Sequence, residues 1–277
     1  MTMLEVDKIT LTFKGIAALM NVSFTVKHGE IVSLIGPNGA GKTSMLNCIS
    51  GRYRPDKGSI ALNGKDLLPK NGKASKGLFG LTGDKPMATH HRTGLGLSRT
   101  FQNIALFKGL SVLDNLMVGR HQLLEYGLLA SLFYVGKARR KEDEHRRRVE
   151  DVIDFLGLSP YRNQSAGRLP YGVQKRVELG RALAAEPKLI LLDEPMAGMN
   201  LEETEDMARY ILDINEEWGV TVLLVEHDMG VVMDISDRVV VLDFGQVLAK
   251  GTPEEVQLNP EVVAAYLGSD DATFLGR

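Results

Sequence analysis

An apolar run, Ile31 to Ile35, stops abruptly at Gly36-Pro37-Asn38-Gly39-Ala40-Gly41-Lys42-Thr43-Ser44. Neither a helix nor a strand tolerates that density of glycine and proline. The run therefore reads as a buried strand, the glycines as a loop, and Lys42 to Gly51 as the helix that follows. The segment matches G-x-x-x-x-G-K-[ST] in the strand-to-helix context the pattern requires. Glycines let successive backbone N–H groups turn toward one point and form an anion nest. The helix N-terminus adds its positive end. Lys42 is placed to reach the β- and γ-phosphates of a nucleotide, and the Thr43 hydroxyl to ligate Mg²⁺.

Such a loop needs a sheet around it. Leu189 to Leu192 and Val220 to Val225 are further apolar runs, and Arg238 to Leu242 is a third. Helical patterns from about 172 to 185 and 202 to 218 separate them. Strands alternating with helices predict a mainly parallel sheet with helices on both faces, an α/β fold. Upstream, Leu4, Val6, Ile9, Leu11 and Phe13, then Val22, Phe24 and Val26, show the period of two of antiparallel strands. Ser59 to Leu62 with Asn63-Gly64 reads as a strand entering a tight turn. Helical periodicity at Val112 to Leu124 and Lys137 to Leu156 predicts an inserted α lobe over about 105–165. Glu254 to Leu267 reads as a small helical tail. The segment Asp66 to Ser98 is rich in Gly and Lys without periodicity and is expected to be a long loop. Its basic residues, Lys70, Lys73, Lys76, Lys85 and Arg92 with Arg99 beyond, fit a solvated surface, with lipid headgroups as the other reading.

The strand at 189–192 delivers Asp193-Glu194 to its C-terminal end, where ligands sit in open parallel sheets. Asp193 suits Mg²⁺, and Glu194 suits the general base for an attacking water. The strand at 220–225 ends in Glu226-His227-Asp228, and its expected place beside the strand at 31–35 puts His227 near the γ-phosphate. Lys plus Arg (33) and Asp plus Glu (35) nearly cancel, leaving a net charge of -2, so nucleic acid is not expected as a partner. Cys48 is the single cysteine, which excludes an intrachain disulfide and fits a reducing compartment. No apolar stretch approaches the ~20 residues of a spanning helix.

With Lys42, Asp193, Glu194 and His227 in this order, the chain resembles the nucleotide-binding subunits of ABC transporters, from about Leu4 to Gly268. The resemblance implies a P-loop NTPase core with an N-terminal antiparallel β lobe and an inserted α-helical lobe. It implies one ATPase domain over 1–268 and a short tail at 269–277. Arg99-Thr100-Phe101-Gln102 looks like the family's Q-loop, whose glutamine senses γ-phosphate and Mg²⁺ beside the transmembrane partner. Phe13 stands where the family stacks an aromatic ring on adenine. Leu169-Pro170-Tyr171-Gly172-Val173-Gln174 occupies the signature position, which closes over the ATP of the opposite protomer. The usual serine is replaced by Pro170 and the first glycine by Tyr171, while Gly172 remains; Pro170 is expected in the helix's first turn.

A narrower similarity, to the branched-chain amino acid importer ATPases, rests on Leu192 to Thr204, the Tyr171-Gly172 signature, and Asn259 to Gly268. Asn200 stands where many ABC subunits carry aspartate. The implied reaction is ATP hydrolysis driving import of branched-chain or related amino acids. Implied partners are permease subunits, a second ATPase subunit (self or paralogue) and, indirectly, a solute-binding protein, with this chain peripheral on the cytoplasmic membrane face. An importer for another small polar solute such as urea, a soluble ATPase without a permease, and a non-hydrolysing nucleotide switch remain alternatives. The apolar residues Ile104, Leu106, Phe107, Leu110 and Val112 offer a site for a permease helix.

Overall fold

The computed structural model describes residues 1–68, 89–100, 102, 104–123 and 137–267. Strands β1 (Thr2–Phe13) and β2 (Ile16–Lys27) form an antiparallel hairpin, Phe13 opposite Ile16. Strand β3 (Ile31–Ile35) is wholly buried and leads through the glycine loop into α1 (Lys42–Ser50). Strands β4 (Lys57–Leu62) and β5 (Lys65–Asp66) complete an N-terminal antiparallel sheet in the order β2-β1-β4-β5.

After α2 (Thr89–Gly94), strand β6 (Leu97–Arg99) enters the second sheet. Helices α3 (Val112–Gly119) and α4 (Lys137–Phe155) build the inserted lobe, against which α5 (Tyr171–Leu183) packs. Then follow β7 (Leu189–Asp193), α6 (Leu201–Glu216), β8 (Thr221–Val225), α7 (Met229–Ile235), β9 (Arg238–Asp243) and β10 (Gln246–Gly251). Helices α8 (Pro253–Gln257) and α9 (Pro260–Leu267) end the described chain.

The second sheet runs β10-β9-β3-β8-β7-β6 and is parallel except for the β9–β10 pair. Its central strands are apolar on both faces because both faces are covered. Leu191, Leu223 and Val225 pack with the N-terminal lobe and α1, while the alternate residues Ile190, Leu192, Val222 and Leu224 pack with α4, α5 and α6. The expected α/β class, antiparallel N-terminal lobe and inserted α lobe are all present.

The segment 66–98 departs from the expected loop. Residues 69–88, with Lys70, Lys73, Lys76 and Lys85, lie outside the described residues, but its end carries α2 and the edge strand β6. Nor do its described arginines form a solvated or lipid-facing surface. Arg92 is fully buried and donates to the carbonyl oxygens of Cys48, Ile49 and Leu67, satisfying the last turn of α1. Arg99 is also inside, as described below. Burial lowers the Arg92 pKa and pushes the neighbouring Cys48 thiol up to about 12, so this cysteine is an inert core residue. The tail at 269–277 and the side chains of 137–141 are likewise outside the described residues.

Candidate functional site

The C-terminal ends of β3, β7 and β8 converge on one cleft. It measures about 190 Å³ and is lined by Ala18, Asn38, Gly39, Gly41, Lys42, Thr43, Ser44, Glu194 and His227. Gly36 at φ +147 and Gly41 at φ +103 make the turn. A Cβ on Gly36 would lie 2.0 Å from the Leu242 carbonyl oxygen, and one on Gly41 would lie 2.7 Å from that of Ala18. Only glycine fits either place. Gly41 caps α1 without any side-chain hydrogen bond, which leaves first-turn N–H groups to an anion. Lys42 is buried, and its Nζ donates to the Gly36 carbonyl at 2.6 Å and the Pro37 carbonyl at 3.0 Å, so the loop is closed around its own lysine.

Glu194 sits at φ +50, a strained conformation for a side chain of this kind, and its N–H donates to the Val225 carbonyl. Both carboxylate oxygens are held: Oε1 is 2.9 Å from His227 Nε2, and Oε2 accepts from Gln102 Nε2 at 2.8 Å. Three residues far apart in sequence thus meet at the mouth of the cleft. Asp193 lies behind them, buried. Its Oδ2 accepts from Arg99 at 2.8 Å, and Arg99 also donates to Asn47 Oδ1 and Ser50 Oγ. Asp193 Oδ1 is buried with no hydrogen-bond partner among the described residues. An orphaned carboxylate oxygen next to the phosphate loop suits a hard cation or its water shell.

Glu226 was passed over in the sequence because it is one carboxylate among many. It is buried, accepts from the Met196 N–H at 2.8 Å and the His227 N–H at 3.0 Å, and burial raises its pKa. It fixes the His227 backbone to the loop after Glu194. In the sequence Arg99 stands as a basic surface residue at the head of the Q-loop resemblance, with nothing to tie it to Asp193, and Ala18 carries no signal at all.

Not every predicted residue joins the cleft. Phe13 is 42% exposed at the tip of the β1–β2 hairpin, edge-on to Tyr53 with ring centroids 5.2 Å apart. Tyr171 and Gly172 lie at the start of α5 and do not line it. Tyr171 donates its hydroxyl to the Ala197 carbonyl. Gly172 packs against the cap of α6, where Asn200 and Glu203 form a capping box: a Cβ on Gly172 would come within 2.2 Å of Glu203 Oε1. Asn200 therefore has a helix-capping role of its own. Pro170 is the N-cap of α5 rather than a first-turn residue, because its ψ of 153° is extended. It offers no side-chain cap. Pro170→Ser supplies one, worth about 1 kcal/mol, and loses a similar amount of proline rigidity. Denaturant unfolding is expected to show a net change within roughly 1 kcal/mol; a larger loss would mean that Pro170 fixes the helix entry in a way serine cannot.

Of the proposed docking residues, Val112 is fully buried and belongs to the core, not to a surface. Leu106 is half-buried against the same core. Phe107, 53% exposed, and Leu110, 38% exposed, remain on the surface.

The family model described as "ABC transporter" matches residues 19–197, and one described as "Branched-chain amino acid ATP-binding cassette transporter" matches 246–272. The chain is 42% identical over 265 residues to the high-affinity branched-chain amino acid transport ATP-binding protein BraF of Pseudomonas aeruginosa, covering 96% of this chain and 97% of that one. It is similar to the crystal structure of the ADP conformation of an ATP-binding cassette of an ABC transporter, with TM-score 0.79 and 32% identity over 97% of this chain and 100% of that one. It is similar, too, to the dimeric structure of a post-hydrolysis state of an ATP-binding cassette bound to ADP and Pi, with TM-score 0.71 and 26% identity over 91% and 99%.

Proposed function

This chain belongs to the ABC transporter family of ATP-binding cassettes, and from that membership we propose that it powers the import of branched-chain amino acids by hydrolysing ATP on the cytoplasmic face of a membrane. The observation that carries the reading is the triad at the cleft mouth. Glu194 is held by Gln102 on one oxygen and His227 on the other, facing a phosphate loop with an uncapped helix N-terminus.

In the reaction, a water oxygen attacks the γ-phosphorus, its proton passes to Glu194, and the bond to the β-phosphate oxygen breaks to leave ADP and phosphate. Gly36, Pro37, Asn38, Gly39, Ala40 and Gly41 wrap the phosphates with their backbone N–H groups, except that Pro37 has none and the Ala40 N–H donates to the Pro37 carbonyl to close the loop, and Ser44 extends that cradle into α1. Lys42 leaves its two loop carbonyls to meet the β- and γ-phosphates. Gln102 and His227 report on the γ-phosphate through Glu194. Phe13 stacks on the base. Mg²⁺, held by Asp193, Thr43 and Gln102, would neutralise phosphate charge.

Each nucleotide is clamped by one chain's phosphate loop and the other chain's Tyr171-Gly172 turn, so the working unit is a pair of ATPase subunits around a two-fold or pseudo-two-fold axis. Permease subunits bind that pair. The ATPase domain spans 1–268, with the α lobe at about 105–165. No helix among the described residues is long and apolar enough to cross a membrane.

Reconstitution with its permease subunits tests the reading: ATP hydrolysis should accompany uptake of leucine, isoleucine or valine. Uptake of urea instead would keep the ATPase and change the solute. Phe107→Asp should abolish most transport while nucleotide binding stays intact. Phe107 is half exposed, so this surface change is expected to alter stability by about 0.5 kcal/mol or less. If transport survives the substitution, the permease docks elsewhere.

A further inference from the structure

Helix α5 carries the element that clamps the partner's nucleotide, yet its fifth residue faces this chain's own site. Lys175 is 3% exposed. Its Nζ donates to the Gln102 carbonyl at 3.1 Å and to the Glu194 carbonyl at 3.3 Å, and it stands 5.9 Å from the centre of the Tyr171 ring. We propose that Lys175 is a positioning residue that ties the backbone of Glu194 and Gln102 to helix α5, so that closure of this helix on the partner's ATP sets the general base at this chain's own ATP. The inference rests on the ATPase reading above.

Three features support it. The charge is not there for a single ion pair: Glu178, Glu226, Glu194 and Asp193 all bear on it electrostatically, while burial pulls its pKa down. A buried ammonium kept against that penalty needs fixed acceptors, and two of these are the carbonyls of the residues that do the chemistry. Second, Glu194 sits at positive φ, so its backbone needs an outside restraint, and its carbonyl is where Lys175 holds it. Third, α5 grips both functional loops at further points. Glu178 accepts from the Ala105 N–H at 3.3 Å, Arg181 donates to the Ala105 carbonyl at 2.5 Å, and Tyr171 holds the Ala197 carbonyl. The helix, the residues Gln102 and Ala105, and the segment 194–197 are therefore bonded as one unit. A rotation of α5 cannot leave the Glu194 carboxylate where it was. Because the signature end of that unit meets the other protomer's nucleotide, the two sites become coupled without any direct contact between them.

The test is steady-state ATPase of the assembled transporter with Lys175→Met, Lys175→Gln and Lys175→Arg. In the wild type, ATP dependence should be sigmoidal. Lys175→Met keeps length and apolar stem but removes every donor. It should lower kcat by about 10–100-fold, the usual cost of a catalytic group displaced by an ångström or less. Its KM should stay within about threefold, because uniform nucleotide binding is untouched, and the ATP curve should become hyperbolic. Lys175→Gln, with one neutral donor, should fall between. Lys175→Arg restores charge and donors and should recover most of kcat and the sigmoidal curve. Wild-type kcat and cooperativity in a folded Lys175→Met would overturn the inference. So would a loss in which KM rises as much as kcat falls, or one that Lys175→Arg fails to rescue. If both neutral variants unfold, Lys175 is a stability element and the positioning role is rejected. An assembled wild type without ATP turnover would refute the ATPase reading itself, a result distinct from all of these.

Discussion

Glu194→Gln is expected to leave Mg·ATP binding intact and to lower turnover by about 10²–10⁴-fold, the usual worth of a positioned general base. The geometry explains why binding should survive. The amide has the shape of the carboxylate, and its oxygen can still accept from Gln102 Nε2. Its NH₂ can donate to His227 Nε2, provided that the neutral imidazole carries its proton on Nδ1. The cleft mouth is therefore preserved while its base is removed. A second effect follows from charge. The carboxylate lines the cleft of the phosphate loop, so its loss removes a repulsion with the γ-phosphate bound there, and ATP should hold two Glu194→Gln subunits together where ADP does not. Size-exclusion chromatography reads the dimer, and phosphate release from the full transporter reads the rate. Wild-type turnover in the variant would remove Glu194 from the mechanism.

The parts of the site read from the sequence are those whose signal is local. Ile31 to Ile35 with its glycines, and the apolar strands that end in Asp193-Glu194 and His227, declare themselves within ten residues. Burial on both sheet faces leaves them no polar alternation to confuse the reading. Strand β6 declared nothing. It has three residues, follows a Gly- and Lys-rich stretch, and exists because Leu97, Ser98 and Arg99 find Leu189, Ile190 and Leu191, a pairing no local pattern encodes. The same holds for the buried charges. Arg92, Arg99, Lys175 and Glu226 look, in sequence, like any solvated side chain. Only the fold shows that Arg99 props Asp193 and that Lys175 reaches the Gln102 and Glu194 carbonyls. Pro170 differs again: proline is compatible with both the N-cap and the first turn, and one residue of register decided it.

Lys42 offers the largest effect on binding. Its Nζ is satisfied by the Gly36 and Pro37 carbonyls, so nucleotide must draw it away from them, and the exchange is favourable because phosphate is charged and the carbonyls are not. Lys42→Ala removes the cation and leaves phosphates facing only N–H dipoles. A charge-assisted hydrogen bond contributes about 1.5–3 kcal/mol, so ATP affinity should fall by roughly a hundredfold, at 1.4 kcal/mol per factor of ten. Thermal unfolding reads this without any assay of chemistry. With ATP at about a thousand times the wild-type Kd, ligand binding adds about 4.1 kcal/mol to the native state. A hundredfold weaker site retains about 1.4 kcal/mol under the same conditions. At roughly 2 °C per kcal/mol for a chain of this length, the ATP-induced rise in Tm should shrink from about 8 °C to about 3 °C. The Gly36 carbonyl, left without its buried donor while that of Pro37 still accepts from the Ala40 N–H at 3.1 Å, should also make the ligand-free variant less stable than the wild type, by about 1–3 kcal/mol. The two effects separate cleanly, since the first is the difference between scans with and without ATP and the second is the scan without it. An equal ATP shift in both proteins would place the nucleotide away from this loop.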